Sequence, residues 1–179
     1  KLSGKKLQYF DSELNKNYVP YVIETSIGLD RMFLAVLASA FEIEKINPSD
    51  AMASALGGEE GGGNERIVLR IPPALAHVKV AVFPLIKKDG LPEKAMEVFN
   101  KLKHICRCYY EEKDTIGKRY RRQDAIGTPF CITIDHESLN DNCVTLRHRD
   151  SMKQERIPID KVQQIVDEKV SLRNLLVES

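Results

Sequence analysis

Hydrophobic and polar positions along the chain change period several times, and each change marks an element. Residues 5–10 and 18–24 flank a polar turn and predict two antiparallel strands. From Gly28 the period lengthens. Leu29, Met32, Phe33, Val36, Leu37 and Ala40 recur at helical spacing, the stripe of a buried helix that Pro48 and its polar neighbours end. Residues 57–63 hold five glycines in seven positions. Ordering them is entropically costly, so a mobile surface loop is expected. Its two glutamates, and the missing Gly-Lys-Ser/Thr ending, argue against phosphate binding. Residues 66–71 predict a further strand, stopped by Pro72 and Pro73. The domain boundary is placed there, giving domains 1–72 and 73–179.

A second pattern follows. Residues 78–86 predict a buried strand. Residues 92–105 predict a helix with Pro92 at its start and Ala95, Val98, Phe99, Leu102 and Ile105 on one face. Residues 107–111 predict a short strand, 115–125 a basic helix or turn, and 130–134 another strand. Residues 144–148 and 154–159 form a hairpin around 149–153. Val162, Ile165, Val166 and Val170 line a closing helix with Asp160 as its cap. This order predicts an α/β domain: a mixed five-stranded sheet flanked by about three helices, preceded by an antiparallel hairpin plus helix.

The 179 residues, 42% apolar and 30% charged, suit one globular domain plus part of another. No apolar run approaches the ~20 residues of a membrane helix, so no membrane partner is expected. The N-terminus lacks an initiator Met and a signal core, and the chain looks cut from something longer. Cys106, Cys108, Cys131 and Cys143 lack zinc-ribbon spacing, which favours reduced structural thiols in a cytoplasmic protein and no metal. A net charge of +1 cannot argue for nucleic acid, so only a local cluster can.

Two clusters carry candidate chemistry. Glu24, Ser26 and Arg31 place a carboxylate, a hydroxyl and a guanidinium at one strand-to-helix junction, suited to an ammonium beside a polyphosphate. Helix caps and a solvated ion pair would use the same residues. Lys118, Arg119, Arg121 and Arg122 surround Tyr120, a combination that contacts phosphates and stacks on unpaired bases. Asp124 adds an acceptor for a cytosine amine. Arg147 and Arg149 alternate with His148 and so share one side of a strand. A solvated basic helix is the plain alternative. His77 and His104 have no triad-like partner and read as structural or solvent-facing.

The string from Tyr21 to Phe33 resembles motif 3 of class II aminoacyl-tRNA synthetases, in the version of the glycyl-tRNA synthetases. Ser3 to Tyr9 resembles the strand before that motif. Val68-Leu69-Arg70-Ile71-Pro72-Pro73 resembles the family's domain junction, and Val78-Lys79-Val80-Ala81-Val82-Phe83-Pro84-Leu85 the first strand of its anticodon-binding domain. Gly117-Lys118-Arg119-Tyr120-Arg121-Arg122-Gln123-Asp124 and Ile126-Gly127-Thr128-Pro129-Phe130 match its most recognisable part, and Val144 to Asp150 the hairpin that follows. Thr25 departs from the family, where Pro is common.

The resemblance implies a catalytic-domain remnant followed by an anticodon-binding domain. It gives Glu24 and Ser26 to glycine and Arg31 to the ATP γ-phosphate. Lys118, Arg119, Tyr120, Arg121, Arg122, Asp124, Arg147 and Arg149 are the candidates for contacts to glycine tRNA. It further implies that the whole enzyme uses ATP and Mg²⁺ and is a homodimer. Motifs 1 and 2 are missing here, so this chain alone is expected to bind no cofactor and to be inactive. A non-catalytic, synthetase-like accessory subunit is the alternative. Such relatives tend to lose the motif 3 Arg, whereas Glu24, Ser26 and Arg31 are all present.

Overall fold

The computed structural model describes residues 4–45 and 65–173, so the glycine-rich loop lies outside the described residues. The chain forms two compact units, the first through Phe33 and the second from Leu34 onward. In the first, β1 (Tyr9–Asp11) pairs antiparallel with β2 (Lys16–Tyr18). Asp11 Oδ1 accepts the amides of Glu13 and Leu14 at 2.9 and 3.1 Å, and Asn15 takes a left-handed φ of 47° to close the turn.

The expected strand over residues 18–24 is corrected here. Only Tyr18 joins a ladder, and residues 19–28 form no helix or strand. Among the described residues no strand lies beside them to take up their backbone groups. The expected buried helix is also corrected. Helix α1 (Leu29–Ala40) forms, but Leu29, Met32, Phe33 and Leu34 are exposed and only Ala40 is buried. It ends at Ala40, well before Pro48, because β3 (Phe41–Lys45) follows directly. Phe41 and Ile43 alternate with Glu42 and Glu44, a strand period that the helical reading passed over.

The second unit holds β3, which pairs antiparallel with β4 (Glu65–Leu69), and a five-stranded sheet. The sheet contains β5 (Val80–Pro84), β6 (Cys108–Tyr110), β7 (Phe130–Ile134), β8 (Cys143–His148) and β9 (Gln154–Pro158), in the order β6-β5-β7-β8-β9. β6 and β7 run parallel to β5, while β8 and β9 are antiparallel to their neighbours. β5 and β7 are buried along their whole length, as strands covered on both faces must be.

Helix α2 (Leu91–Leu102) connects β5 to β6, and α3 (Ile116–Ile126) carries the chain back past β5 to β7. The two crossovers run in opposite directions along the sheet, so a common right-handed sense puts the helices on opposite faces. Val80, Val82, Ile132, Ile134, Val144 and Leu146 form one core with α2 and the closing helix α5 (Ile159–Val170). Ala81, Phe83 and Cys131, on the other face of the strands, meet Ile116 and Tyr120 of α3. A one-turn helix α4 (Ser138–Asp141) precedes β8. Pro158 caps α5, and Asp160 lies in its first turn rather than at the expected cap.

Candidate nucleic-acid interface

Helix α3 is the most polar of the longer helices and has two chemically different sides. With 3.6 residues per turn, Ile116, Arg119, Tyr120, Gln123 and Asp124 fall on one face and are buried. Lys118, Arg121 and Arg122 fall on the other and are exposed. Gly127 ends the helix with a φ of 82°. A Cβ there would sit 3.0 Å from the Leu69 carbonyl oxygen of β4, so the turn needs glycine for both space and backbone conformation.

Each buried polar side chain on α3 has a partner inside the protein, although the Arg119 Nε atom itself is left without one among the described residues. Arg119 Nη1 donates to the Pro84 carbonyl at 2.6 Å and Nη2 to the Leu85 carbonyl at 3.2 Å, which ties α3 to the end of β5. Its guanidinium lies 5.4 Å from the centre of the Phe83 ring, and burial lowers its pKa. Tyr120 shares a 2.6 Å hydrogen bond with Thr133 Oγ1, and burial pushes its phenol up to about 12. Arg147 lies opposite Cys131 in the register, on the α3 face of the sheet. Its Nη1 and Nη2 donate to Asp124 Oδ1 and Oδ2 at 2.8 and 2.9 Å, a bidentate pair. Burial opposes the Arg147 charge, but the Asp124 hydrogen bonds outweigh it and raise its pKa.

The structure thus divides the eight RNA candidates. Arg119, Tyr120, Asp124, Arg147 and Arg149 are buried, and Asp124 has no exposed surface. Arg147 and Arg149 do share a side, but it faces inward: Arg149 Nη1 donates to the Gly127 carbonyl at 2.9 Å. As placed here, Asp124 offers no free face to a base. Lys118 and Arg121 are exposed and form no ion pair among the described residues. Arg122 is exposed but held by Glu111 and Asp114 at 2.8 and 2.9 Å. Helical spacing from Ile116 sorts the α3 residues into two faces, but which face turns inward is decided by the sheet the helix meets.

Sequence reasoning missed Arg66 and Glu44. Arg66, on β4, is 2% exposed and donates to Asp124 Oδ2 at 3.1 Å and Glu44 Oε2 at 2.6 Å. A charged residue within an apolar strand was the available signal. Glu24 and Ser26 lie in residues 19–28, which form no helix or strand, and Arg31 in the first turn of α1. All three are exposed, and their side chains make no hydrogen bond among the described residues. His77 and His104 are exposed. Away from α3, an open groove of about 590 Å³ between α2 and β6 is acidic, lined by Glu93, Glu97 and Glu112. It repels a polyanion, so the basic face of α3 is the better one for RNA.

The residues that build this sheet and the basic helix match a known family in sequence. The family model described as "Anticodon binding domain" matches residues 79–169, and the chain belongs to that family. Relatives extend the likeness to nearly the whole chain. It is 48% identical over 168 residues to a protein named glycine–tRNA ligase from Clostridium tetani, covering 94% of this chain and 33% of the relative. It is 46% identical over 162 residues to the glycine–tRNA ligase of Borrelia hermsii, covering 90% of this chain and 33% of that protein. For the Treponema denticola enzyme of the same name the figures are 48% over 158 residues, 87% and 33%. The chain spans about a third of the length of these curated relatives.

Proposed function

We propose that this chain reads the anticodon loop of glycine tRNA as part of a glycine–tRNA ligase. The observation that carries the reading is the free basic face of α3, Lys118 and Arg121, inside a domain of the anticodon-binding family. Lys118 and Arg121 contact phosphates, Arg122 joins them by exchanging a carboxylate for a phosphate, and the buried five hold that surface in place. Residues 73–179 form the anticodon-binding domain and residues 1–72 belong to the catalytic domain. The family match beginning at residue 79 supports that boundary.

In the whole enzyme, which we take to be a cytoplasmic homodimer, glycine is activated by ATP and joined to its tRNA. ATP with Mg²⁺ supplies the reactive phosphorus and neutralises its charge. The residues present fit that chemistry. Arg31 has no carboxylate partner among the described residues, which leaves its guanidinium for a phosphate, and Glu24 leaves a carboxylate for the glycine ammonium. Ser26 adds a short polar contact beside the glycine α-carbon. Glycine is selected sterically, because filling the side-chain space excludes every larger amino acid. We expect the isolated chain to show no pyrophosphate exchange.

The test is a titration of the chain with the glycine anticodon stem-loop and with an anticodon-swapped stem-loop, at two salt concentrations. The glycine loop should bind more tightly. Lys118→Ala and Arg121→Ala should each weaken both loops and lower the logarithmic salt slope by roughly 0.7–0.9 per lost phosphate contact. Equal binding of the two loops would sink the reading.

A further inference from the structure

We propose that Arg66 is a latch that locks the β3–β4 hairpin to helix α3, so that RNA held on α3 also restrains the hairpin. The proposal rests on the reading of α3 as an RNA-facing helix.

The hairpin's apolar hold on the rest of its unit is small, with Leu69 packing on the cluster of Ala40, Ile71 and Ala76. Val68 is fully buried, but Phe41, Ile43 and Ile67 are exposed. Beside the close approach of Leu69 to Gly127, the side-chain hydrogen bonds that cross from the hairpin to α3 and to the turn after β8 are charged ones. Arg66 Nη1 donates to Asp124 Oδ2 at 3.1 Å and to the Arg149 carbonyl at 2.8 Å, while its Nε and Nη2 donate to Glu44 Oε2 at 3.0 and 2.6 Å. One guanidinium therefore joins β3, α3 and the residue after β8. Arg70 repeats the pattern nearer the surface. It pairs with Glu42 at 2.7 Å, with Glu44, and with Asp150 at 3.0 Å. The backbone amide of Arg70 donates to the Ala40 carbonyl at 2.6 Å, which carries the connection to the end of α1.

Arg66 is not needed to neutralise Asp124, because Arg147 already holds both of its oxygens. Nor is it needed for Glu44, which Arg70 also meets. Its added effect is connection. Apolar contacts tolerate sliding, whereas a buried guanidinium with four aimed hydrogen bonds does not. Position is the property that buried ion pairs are best suited to supply.

This redundancy gives a clean variant. Arg66→Met keeps most of the side chain's length and leaves each carboxylate with its other cation, so the domain should still fold. Amide hydrogen exchange is measured on the chain with and without saturating glycine anticodon stem-loop. In the free protein, Arg66→Met should speed exchange in β3 and β4 by about tenfold or more and leave β5, β7 and β8 unchanged. On binding RNA, the wild-type hairpin should gain protection and the Arg66→Met hairpin should not, with affinity kept within about threefold. Uniform acceleration of all strands, unchanged exchange in the hairpin, or equal RNA-induced protection in both proteins would overturn the latch. Failure of the wild-type chain to bind the stem-loop would overturn the RNA reading instead, and free-state exchange would then decide the latch.

Discussion

Helices α2 and α3 cover opposite faces of the same sheet with opposite chemistry. α2 buries Leu91, Ala95, Val98 and Leu102 against aliphatic strands. α3 buries Arg119, Tyr120, Gln123 and Asp124, and every one of them hydrogen-bonds inside the protein. Apolar burial stabilises by area, at roughly 25 cal/mol per Å², and is indifferent to small shifts. A hydrogen bond nets only about 1 kcal/mol but is lost when its partner moves. The α2 side therefore contributes most of the stability and the α3 side determines where a helix sits. The RNA surface proposed for α3 benefits from the second arrangement, since phosphate contacts must keep their spacing.

The sharpest attempt to break this contrast is Asp124→Ala. It leaves Arg147 and Arg66 buried without their shared carboxylate and should cost about 3–5 kcal/mol in urea unfolding. Leu91→Ala on the α2 side should cost about 2–5 kcal/mol through a cavity, yet leave RNA affinity per folded molecule unchanged. If the two variants bound RNA equally well, the positional role of the polar face would be refuted. Tyr120→Phe is milder: it removes the hydrogen bond to Thr133 Oγ1, keeps the ring, and should cost about 1–3 kcal/mol.

The smallest effect concerns acid. Burial works against the Asp135 charge, but hydrogen bonds from Arg156 and Ser138 outweigh it and hold the carboxyl below the usual carboxylate range. Arg156 lowers Asp141 in the same way. Folded pKa values below the unfolded ~3.9 mean stability that is present above that pH and lost as pH falls through the folded values. Arg156→Met should lower the urea midpoint at pH 7 and flatten its decline toward pH 3. Parallel midpoint profiles for the two proteins would show that these pairs are energetically silent.

Much of the five-stranded sheet and its helices was legible in the sequence. β7 follows the predicted range, and β5, β8, β9 and α2 lie within a few residues of theirs, because buried strands and an amphipathic helix announce themselves by period. The stretch before the sheet was less legible. Tyr21, Val22 and Ile23 read as a strand but are exposed, since a strand is made by a neighbour that its own residues do not encode. β3 was hidden because Ala40 continues the helical stripe up to Phe41, the point at which a period of two takes over. At the candidate interface, the basic cluster was visible while its division into supports and contacts was not.

The sequence by itself determined the order of the five strands and three longer helices of the sheet domain, and the family, since these follow from local periodicity and from motifs that survive as strings. Only the tertiary structure decided which charges are structural. Arg66 and Asp124 stand 58 positions apart, and a guanidinium in water and one buried against a carboxylate are spelled with the same letter. Burial and partnership arise when distant segments meet, so they become readable only once the chain has folded.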